Sequence, residues 1–347
     1  MNSEERKAEP SEARPPRGDG RMPNRRSKHA TTEELLDELK ETADKFQRDH
    51  ASRADVKMVV TAVKELRYAL KIFAQYRHVP KIVIFGSART PTNHPSYEQC
   101  VQFSRKMADA GYIVITGAST GIMEAGHVGA GVDRSLGVNI LLPFEQAANH
   151  IISGDLSKLV HLKYFFTRKL MLVKESQAIA VFPGGFGTHD ETFEVLTLMQ
   201  TGKAPMLPVV FLEEPGGDYW KHWLAFVKET LLSRGYINAE DLSLFRITES
   251  VDDAVRIILH FYRVYHSMRY VGNHLVMRLN RELSPDALAR LHRDYADVLE
   301  SGQFNQTQAL PAEAGDAHIA HLPRLTFHFN KKKLGRLRQM IDFLNDQ

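Results

Sequence analysis

A glycine-rich segment, residues 183–191, carries the clearest chemical signal in the chain. Its sequence is PGGFGTHDE, and it stands between the apolar stretch AIAVF and a run of apolar residues at helical spacing. The glycines let the backbone turn tightly and approach a ligand, while the free N–H groups and positive dipole end of a following helix attract an anion. We predict a phosphate site here, with Glu191 one turn into the helix, where it can reach an adjoining sugar. The expected phosphate ligands are Gly184, Gly185, Gly187 and Thr188.

The alternative for this segment is purely structural. Thr188 and Glu191 have the spacing of a simple capping box at the start of a helix, within a tight connection between a strand and that helix. Three glycines within four positions favour the anion site.

Two further loops have residues suited to the same ligand. The segment GSAR at 86–89 follows one apolar run and offers a hydroxyl and a cation, while TGASTG at 116–121 follows another and leads into a helix that begins IMEA. The spacing is neither the GxGxxG of dinucleotide folds nor the GxxxxGK[ST] of a P-loop, so a mononucleotide fits better. The substrate-binding candidates in these loops are Gly86, Ser87, Arg89, Gly117 and Gly121, with Glu124 as a candidate for contacts with the base or ribose.

Arg168 and Lys169 stand at the start of another helical run and are the cationic candidates. A guanidinium group can hold a phosphate or carboxylate at two points and stays charged at any ordinary pH. The alternative for an Arg-Lys pair is a solvent-facing pair without a ligand. Its combination with the three loops favours substrate binding by both residues.

Taken together, these motifs resemble those of the LOG (LONELY GUY) family, formerly called lysine decarboxylase-like. The resemblance covers residues 80–265, and its most specific part is PGGxGTxxE combined with the upstream arginine. Proteins of this family are nucleoside 5′-monophosphate phosphoribohydrolases, including enzymes that release cytokinin bases. The resemblance implies a Rossmann-like fold, a homodimer or higher homo-oligomer, a reaction without a metal or other cofactor, and catalytic roles for Arg168 and Glu191. One departure is the pair Ser119 and Thr120, where many relatives have Gly-Pro.

The reaction implied is hydrolysis of the N-glycosidic bond of a purine nucleoside 5′-monophosphate, AMP or a cytokinin riboside 5′-monophosphate, to free base and ribose 5-phosphate. This reaction needs a phosphate anchor, a carboxylate near the ribose and a cation, and the motifs provide all three. Amino-acid decarboxylation instead needs pyridoxal phosphate or a comparable electron sink, and no lysine stands in a context that argues for one. The alternative that stays open is a non-catalytic nucleotide- or cofactor-binding module of the same superfamily.

Composition and charge indicate a soluble globular protein and do not require a nucleic-acid or membrane partner. The 347 residues include 43% hydrophobic and 25% charged residues, one cysteine and a net charge of +3. Residues 1–30 hold 8 basic and 5 acidic residues, which accounts for the whole excess, so nothing in the remainder requires nucleic acid. That basic, proline-containing tail is expected to be disordered. With no apolar run long enough for a bilayer span, we expect no membrane partner and a cytoplasmic location.

The elements that must position these residues follow from the alternation of short apolar runs with helical patterns. Strands are expected at 81–85, 112–116, 137–142, 178–182 and 208–212, and helices at 97–110, 122–132, 167–175, 188–201 and 219–233. Strands that are apolar on both faces predict an α/β, Rossmann-like, mainly parallel sheet with helices on both faces. Ligands of such sheets lie beyond the carboxyl ends of the strands, where the three loops stand.

The expected domain organisation adds helical extensions at both ends of this sheet. After the tail at 1–30, a helical extension at 31–79 opens with a capping box at Thr31 and precedes the catalytic domain at 80–265. The C-terminal extension at 266–347 is expected to cover the core or form an oligomer interface. Its expected elements are a helix running up to 266, a β-like stretch at 270–279, a helix at 284–300, a loop at 302–323 and a terminal amphipathic helix.

Overall fold

The computed structural model describes residues 30–141 and 148–347. The expected disorder of the basic tail therefore concerns residues that lie, apart from residue 30, outside the described part. The chain divides into two compact units, residues 1–60 and 61–347. Among the described residues, no helix is both long and apolar enough to cross a membrane.

The first unit contains helix α1 (Thr32–Arg48) and the beginning of helix α2 (Arg53–Phe73). The predicted capping box is confirmed at the start of α1. The Glu34 N–H donates to Thr31 Oγ1 at 3.2 Å, and the Thr31 N–H donates to Glu34 Oε2 at 2.7 Å. These reciprocal bonds satisfy two backbone donors that a helix start leaves free.

The second unit is built on a seven-stranded sheet in which all the strand pairs are parallel. The strand order is β4-β3-β2-β1-β5-β6-β7. The strands are β1 (Lys81–Phe85), β2 (Ile113–Thr116), β3 (Ser135–Ile140), β4 (Leu159–Leu162), β5 (Ala178–Val181), β6 (Val209–Leu212) and β7 (Arg246–Thr248). The parallel sheet is thus confirmed, and the two strands that the apolar pattern missed, β4 and β7, are its edges. These strands have only four and three residues, and each includes a polar or charged side chain, so they lack the continuous apolar run of a central strand.

Helices cover both faces of this sheet, as predicted. The side chains of β1 alternate between two hydrophobic clusters, with Val83 and Phe85 in one and Ile82 and Ile84 in the other. The helices are α3 (Pro95–Asp109), α4 (Ile122–Ala130), α5 (Phe165–Glu175), α6 (Phe186–Gln200), α7 (Tyr219–Phe226) and α8 (Val251–Phe261). Since successive strand residues point to opposite faces, two separate apolar clusters require a layer of helices on each side.

The C-terminal extension contains a second sheet that the sequence did not predict in full. Its antiparallel order is β10-β11-β9-β8, with strands β8 (Tyr265–Val271), β9 (His274–Leu279), β10 (Leu299–Thr307) and β11 (Arg324–Phe329). It is accompanied by helices α9 (Pro285–Asp294) and α10 (Leu334–Asn345), so the terminal helix is confirmed. Residues of β9, β11 and α10 belong to the same apolar cluster as Val83 of the first sheet.

The loop expected at 302–323 was wrong in its first part, because β10 runs through Thr307. The helix expected at 284–300 ends at Asp294, and the helix expected to reach residue 266 ends at Phe261. Strand β10 has the sequence LESGQFNQT and lies at the edge of its sheet, where only Phe304 is buried. Because its exposed residues are polar, it has no apolar alternation to reveal a strand.

A buried ion network fixes this second sheet to the segment between β10 and β11. Glu313 Oε2 lies 3.0 Å from Nε of Arg324, and both side chains are fully buried; Glu313 Oε1 lies 2.8 Å from the Arg278 guanidinium. Burial acts to raise the pKa of Glu313, but hydrogen bonds from Arg324, from the Leu310 N–H and from Arg278 together hold it below its usual value. The Glu313 carboxylate therefore offsets the positive charge of two buried arginines, which would otherwise destabilise the fold.

We expect Glu313→Gln to lower the free energy of unfolding by about 3–5 kcal/mol, because it leaves buried arginines without their counter-charge. Chemical denaturation followed by circular dichroism measures the loss. The matched control is Asp294→Asn, which removes the exposed carboxylate paired with Arg293 and should leave the free energy of unfolding close to that of the wild type. Equal losses in the two variants would contradict the role given to Glu313.

Candidate functional site

The loops after β1 and β5 emerge side by side at the carboxyl edge of the parallel sheet. Strands β1 and β5 are direct neighbours, and the Ser87 N–H donates to the Pro183 carbonyl at 3.1 Å, which ties the two loops together. Between them lies an open cleft of ≈ 750 Å³. It is lined by residues 87–89 and 184–189, so it unites Ser87, Arg89, Gly184, Gly185, Gly187 and Thr188 from the predicted set.

The start of α6 gives this cleft its anion-binding character. The helix begins at Phe186 rather than at residue 188, and Gly185 precedes it as the capping residue without any side-chain cap. The first bond of the helical ladder runs from the His189 N–H to the Gly185 carbonyl at 3.2 Å, so the N–H groups of residues 186–188 precede it. Thr188 is therefore a buried residue of the first turn, not a cap, and the structural alternative of a capping box is wrong. Free N–H groups and the helix dipole favour an anion at this position.

The glycines of the site fall into two groups by their surroundings. A Cβ at Gly185 or Gly187 would meet no atom of the described residues within 4 Å, so these positions face open space within that part of the chain. A Cβ at Gly184 would lie 2.2 Å from Thr188 Oγ1, and one at Gly86 would lie 2.5 Å from the Ile122 side chain. The first group leaves room for a ligand at the backbone, and the second allows the loops to pack closely.

Gly121 holds the β2 loop against the β1 loop. Its φ is +65°, and a Cβ there would lie 2.3 Å from the Ser87 carbonyl oxygen, so a larger residue is excluded on both grounds. The next residue, Ile122, donates its N–H to that carbonyl at 3.0 Å. Both predicted loops are thereby fixed at the same edge.

Arg168 and Glu191 meet beside this cleft. Nη1 of Arg168 lies 3.0 Å from Oε1 of Glu191, and the two side chains are only 10% and 12% exposed. The Arg168 Nε donates to the Val138 carbonyl at 3.0 Å, and a Cβ on Gly117 would lie 2.4 Å from Nη2. The guanidinium group is thus fixed by β3 on one side and by the β2 loop on another, in contact with the carboxylate predicted to serve the ribose.

Burial raises the pKa of Glu191, while the charge of Arg168 acts in the opposite direction. A carboxylate in a poorly solvated site loses hydration, which disfavours its ionised form. Arg168 is therefore the group that keeps negative charge available on Glu191. Perturbed carboxyl groups of this kind are typical of sites of chemistry.

Two predicted residues lie further from this centre. Lys169 Nζ contacts Asp190 Oδ2 at 2.7 Å and Glu194 Oε2 at 3.0 Å, so its charge is engaged along α6. Glu124, in the first turn of α4, has its Oε1 3.3 Å from Nδ1 of His150 and a side chain that is 18% exposed. The structure thus brings most of the predicted residues to one edge but pairs Lys169 with carboxylates rather than leaving it free for a ligand.

Tyr219 and His189 are components of the site that the sequence pattern did not indicate. The Tyr219 hydroxyl contacts both the Gly184 carbonyl oxygen and Nε2 of His189. A carbonyl oxygen can only accept a hydrogen bond, so the Tyr219 hydroxyl donates its hydrogen to the Gly184 carbonyl. The same hydroxyl oxygen therefore accepts a hydrogen bond from the Nε2–H group of His189. Burial lowers the pKa of His189, which agrees with a neutral ring in this role. Tyr219, on α7, lies 30 residues from His189 in the sequence and holds the glycine loop in place. No local sequence motif indicates a contact between residues so far apart.

Glu65 is a second unpredicted component, because it holds the start of the helix that carries Arg168. Its carboxylate accepts from the Lys163 N–H and from the Thr167 hydroxyl, each at 2.7 Å. Helix α5 has no side-chain cap from its own preceding residue, Tyr164. Glu65 of α2 therefore supplies the negative charge that a helix N-terminus attracts.

His127 supports the β2 loop from within the core. Its Nε2 lies 3.1 Å from Thr116 Oγ1, its other ring nitrogen contacts Asn149, and Asn149 donates to the Ser119 carbonyl at 3.1 Å. Burial lowers the pKa of His127 to about 4, so the ring is neutral at ordinary pH. Among the described residues, no group of three or more His, Cys, Asp or Glu side chains is placed to hold a metal ion.

Comparison with known proteins gives matches that include this site. Residues 115–258 match the family model described as "possible lysine decarboxylase", a span that contains Arg168 and Glu191 and begins after residues 86–89. The cytokinin riboside 5′-monophosphate phosphoribohydrolase of Mycobacterium tuberculosis is 26% identical over 176 residues, covering 49% of this chain and 88% of that protein. A probable cytokinin riboside 5′-monophosphate phosphoribohydrolase of Oryza sativa subsp. japonica is 30% identical over 155 residues, covering 43% of this chain and 59% of that protein. Among solved structures, the molybdenum cofactor binding protein of Rippkaea orientalis is 20% identical with a TM-score of 0.38, and the match covers 52% of this chain and 96% of that one.

We expect Glu65→Ala to lower the free energy of unfolding by about 1–2 kcal/mol, because the Lys163 N–H loses its acceptor and the Thr167 hydroxyl keeps only the Tyr164 carbonyl oxygen, 2.8 Å away. Denaturant titration of the purified chain provides the measurement. Glu282→Ala, the same change at an exposed position, serves as the control and should stay within about 0.5 kcal/mol of the wild type. A stability loss in Glu65→Ala no larger than in this control would show that Glu65 does not hold the start of α5.

Proposed function

We propose that this chain, which belongs to the LOG family, hydrolyses the N-glycosidic bond of a purine nucleoside 5′-monophosphate to free base and ribose 5-phosphate. AMP and cytokinin riboside 5′-monophosphate are the candidate substrates. The observation that carries the proposal is the buried contact between Arg168 and Glu191, one helical turn from an open cleft suited to an anion. A module that only binds a nucleotide needs the cleft, whereas bond cleavage also needs a positioned carboxylate and a cation.

The phosphate binds at the N-terminus of α6. The N–H groups of residues 186–188 point from the first turn, and the space beside Gly185 and Gly187 is open. Ser87 and the exposed Arg89, on the facing loop, supply a hydroxyl and a positive charge. This anchoring leaves the ribose to extend toward Glu191 on the same helix.

Glu191 acts at the ribose. When the bond between C1′ and the base nitrogen breaks, its electron pair leaves with the base, and positive charge develops on C1′ and the ring oxygen. A carboxylate beside that centre stabilises the charge electrostatically. Water then adds to C1′ and loses one proton, and the base takes up one proton, so one water molecule is consumed for each nucleotide.

Arg168 performs two tasks in this reaction. Its Nη1 contact opposes the effect of burial on the Glu191 carboxyl group and so maintains the negative charge that the ribosyl centre requires. Its Nη2 group, beside Gly117, orients the substrate. No cofactor enters these steps.

We also propose that the chain works as a homodimer or higher homo-oligomer. Helix α5 exposes about half of the side chains of Phe165, Phe166 and Leu170, and Phe186 at the edge of the cleft is 96% exposed. Exposed large apolar side chains favour contact with another protein surface.

AMP should bind far more tightly than adenosine, because charge-assisted hydrogen bonds to the phosphate are about twice as strong as neutral ones. Calorimetry on the Glu191→Gln variant, which should turn over too slowly to disturb the measurement, compares the two ligands. In the variant Gly185→Val, the added side chain occupies the space proposed for the phosphate. The affinity for AMP should drop at least about tenfold while the fold is retained. Equal affinities for AMP and adenosine, or normal AMP affinity with valine at position 185, would remove the phosphate assignment.

Both Glu191→Gln and Arg168→Ala should lower base release from AMP by about 10²–10³-fold, measured by chromatography of free adenine. The losses should differ in kind, since Glu191→Gln lowers kcat while AMP still binds, and Arg168→Ala also raises KM. Gly117→Ala should resemble Arg168→Ala because its new Cβ displaces the guanidinium group, whereas Gly315→Ala, with no atom within 4 Å of a new Cβ, should be unaffected.

The pH profile separates catalysis by Glu191 from a structural role. The ionised carboxylate is the active form, so kcat/KM should fall as pH drops through the Glu191 pKa, which burial raises above its ordinary value of 4.5. That acidic limb should disappear in Glu191→Gln, and chelator should change nothing in the wild type. AMP binding without base release in the wild type would establish the non-catalytic alternative, and activity that metal restores after chelation would overturn the mechanism.

A further inference from the structure

A second cleft lies at the opposite edge of the parallel sheet from the proposed catalytic site. Its volume is ≈ 540 Å³, and Pro80, Tyr112 and Gln177 in its wall come directly before β1, β2 and β5. Because these strands are parallel, their starting ends share one edge, and the catalytic loops follow the other. At about 3.3 Å per residue, the five residues of β1 separate the two edges by roughly 16 Å. We call this the basal cleft.

The wall of the basal cleft contains one arginine and three histidines, together with other hydrogen-bonding side chains. Arg77 and His78 come from the segment after α2, His266 and Ser267 from β8, and His318 from the segment between β10 and β11. None of the described residues that line it is acidic. The His78 and His318 rings lie edge to face with centroids 6.0 Å apart, so two histidines from distant parts of the chain approach each other here.

Positive charge is also in excess behind this wall. Three guanidinium groups, those of Arg269, Arg278 and Arg324, share only two carboxylates, Glu313 and Asp316. Nη2 of Arg324 is buried and has no hydrogen-bond partner within residues 30–141 and 148–347. Since like charges are held together at a cost, an anion nearby would relieve the excess.

A chain of contacts connects this buried charge with the cleft surface. The Arg278 guanidinium lies 3.4 Å from Ser267 Oγ, and Ser267 Oγ lies 2.8 Å from Nδ1 of His266. The pKa of His266 is lowered by burial and further by the charges of Arg278, His318, Arg324 and His321. The neighbourhood therefore repels a cation at His266 and favours an anion.

We propose that the basal cleft binds a small polyphosphate anion, of the pyrophosphate class, between the starting ends of the strands and the C-terminal extension. Arg77 offers a two-point guanidinium contact, and His78, His266 and His318 offer ring N–H donors from three other directions. Donors on several sides of a 540 Å³ space exceed what one monoanion can engage, which favours linked phosphates over a single small anion. The proposal concerns residues outside the catalytic set and does not depend on the proposed hydrolysis.

The test uses inorganic pyrophosphate as the probe and the full chain carrying Gly185→Val, which closes the phosphate space of the other cleft. Calorimetry should give one site per chain, and adding Arg77→Ala with His318→Ala should weaken binding at least about tenfold, because charge-assisted hydrogen bonds are lost. The matched control is Arg234→Ala with His222→Ala, the same two changes at exposed positions elsewhere, which should leave the affinity within twofold.

If Gly185→Val is unstable, melting temperatures of variants that retain Gly185 provide a second test. Pyrophosphate should raise the melting temperature of the wild type and of the Arg234/His222 variant, and raise that of the Arg77/His318 variant clearly less, since a bound ligand stabilises by mass action. The catalytic cleft contributes equally in all three, so the difference reports the basal cleft alone. Equal shifts or affinities in the two double variants would overturn the proposal, and orthophosphate binding as tightly as pyrophosphate would overturn the polyphosphate class.

Discussion

The site depends on one interaction, the contact between Arg168 and Glu191 inside the protein. Two opposite charges removed from water are tolerated only when each is paired and its remaining hydrogen-bonding groups are satisfied. Arg168 meets this requirement through Glu191 and the Val138 carbonyl. Helix α5 carries the arginine and helix α6 the glutamate, while β3 and the β2 loop fix the guanidinium group where it meets the carboxylate. The parallel sheet and its helices thus bring these two side chains together from different parts of the chain.

Under the proposed function, the neutral pair also explains why the substrate phosphate needs a separate anchor. Arg168 and Glu191 together carry no net charge, so they provide little attraction for an anion at a distance. The helix N-terminus at residues 186–188 and the exposed Arg89 provide that attraction in the open cleft instead. In the proposed reaction, the first turn of α6 binds the phosphate and the following turn presents the Glu191 carboxylate to the ribose. A single helix thus fixes the distance between the anchor and the reacting bond, which is what positioning requires.

The features that could be predicted from the sequence are local, whereas the features that were missed depend on sheet edges and on contacts between distant parts of the chain. The glycine loops and the central strands were predictable because turn geometry and continuous apolar runs are local properties. Strands β4, β7 and β10 lie at sheet edges; the first two are too short to show a pattern, and the third is mostly exposed and polar. Tyr219, Glu65 and His127 act on residues between 11 and about 100 positions away, so their roles exist only after the chain has folded. The start of α6 was also two residues off, since glycine and phenylalanine do not look like helix openers.

Helix α2 gives the two clefts a physical connection. Glu65 in its middle holds the start of α5, which carries Arg168, and the chain just beyond its end supplies Arg77 and His78 to the basal cleft. The strands between the clefts are buried on both faces and packed at high density, so they resist displacement. A helix on the surface of the sheet can shift with less loss of packing. Coupling of the two clefts through this connection would require two arrangements of α2 that differ at Glu65, because coupling between distant sites needs an element with two states that both ligands bias.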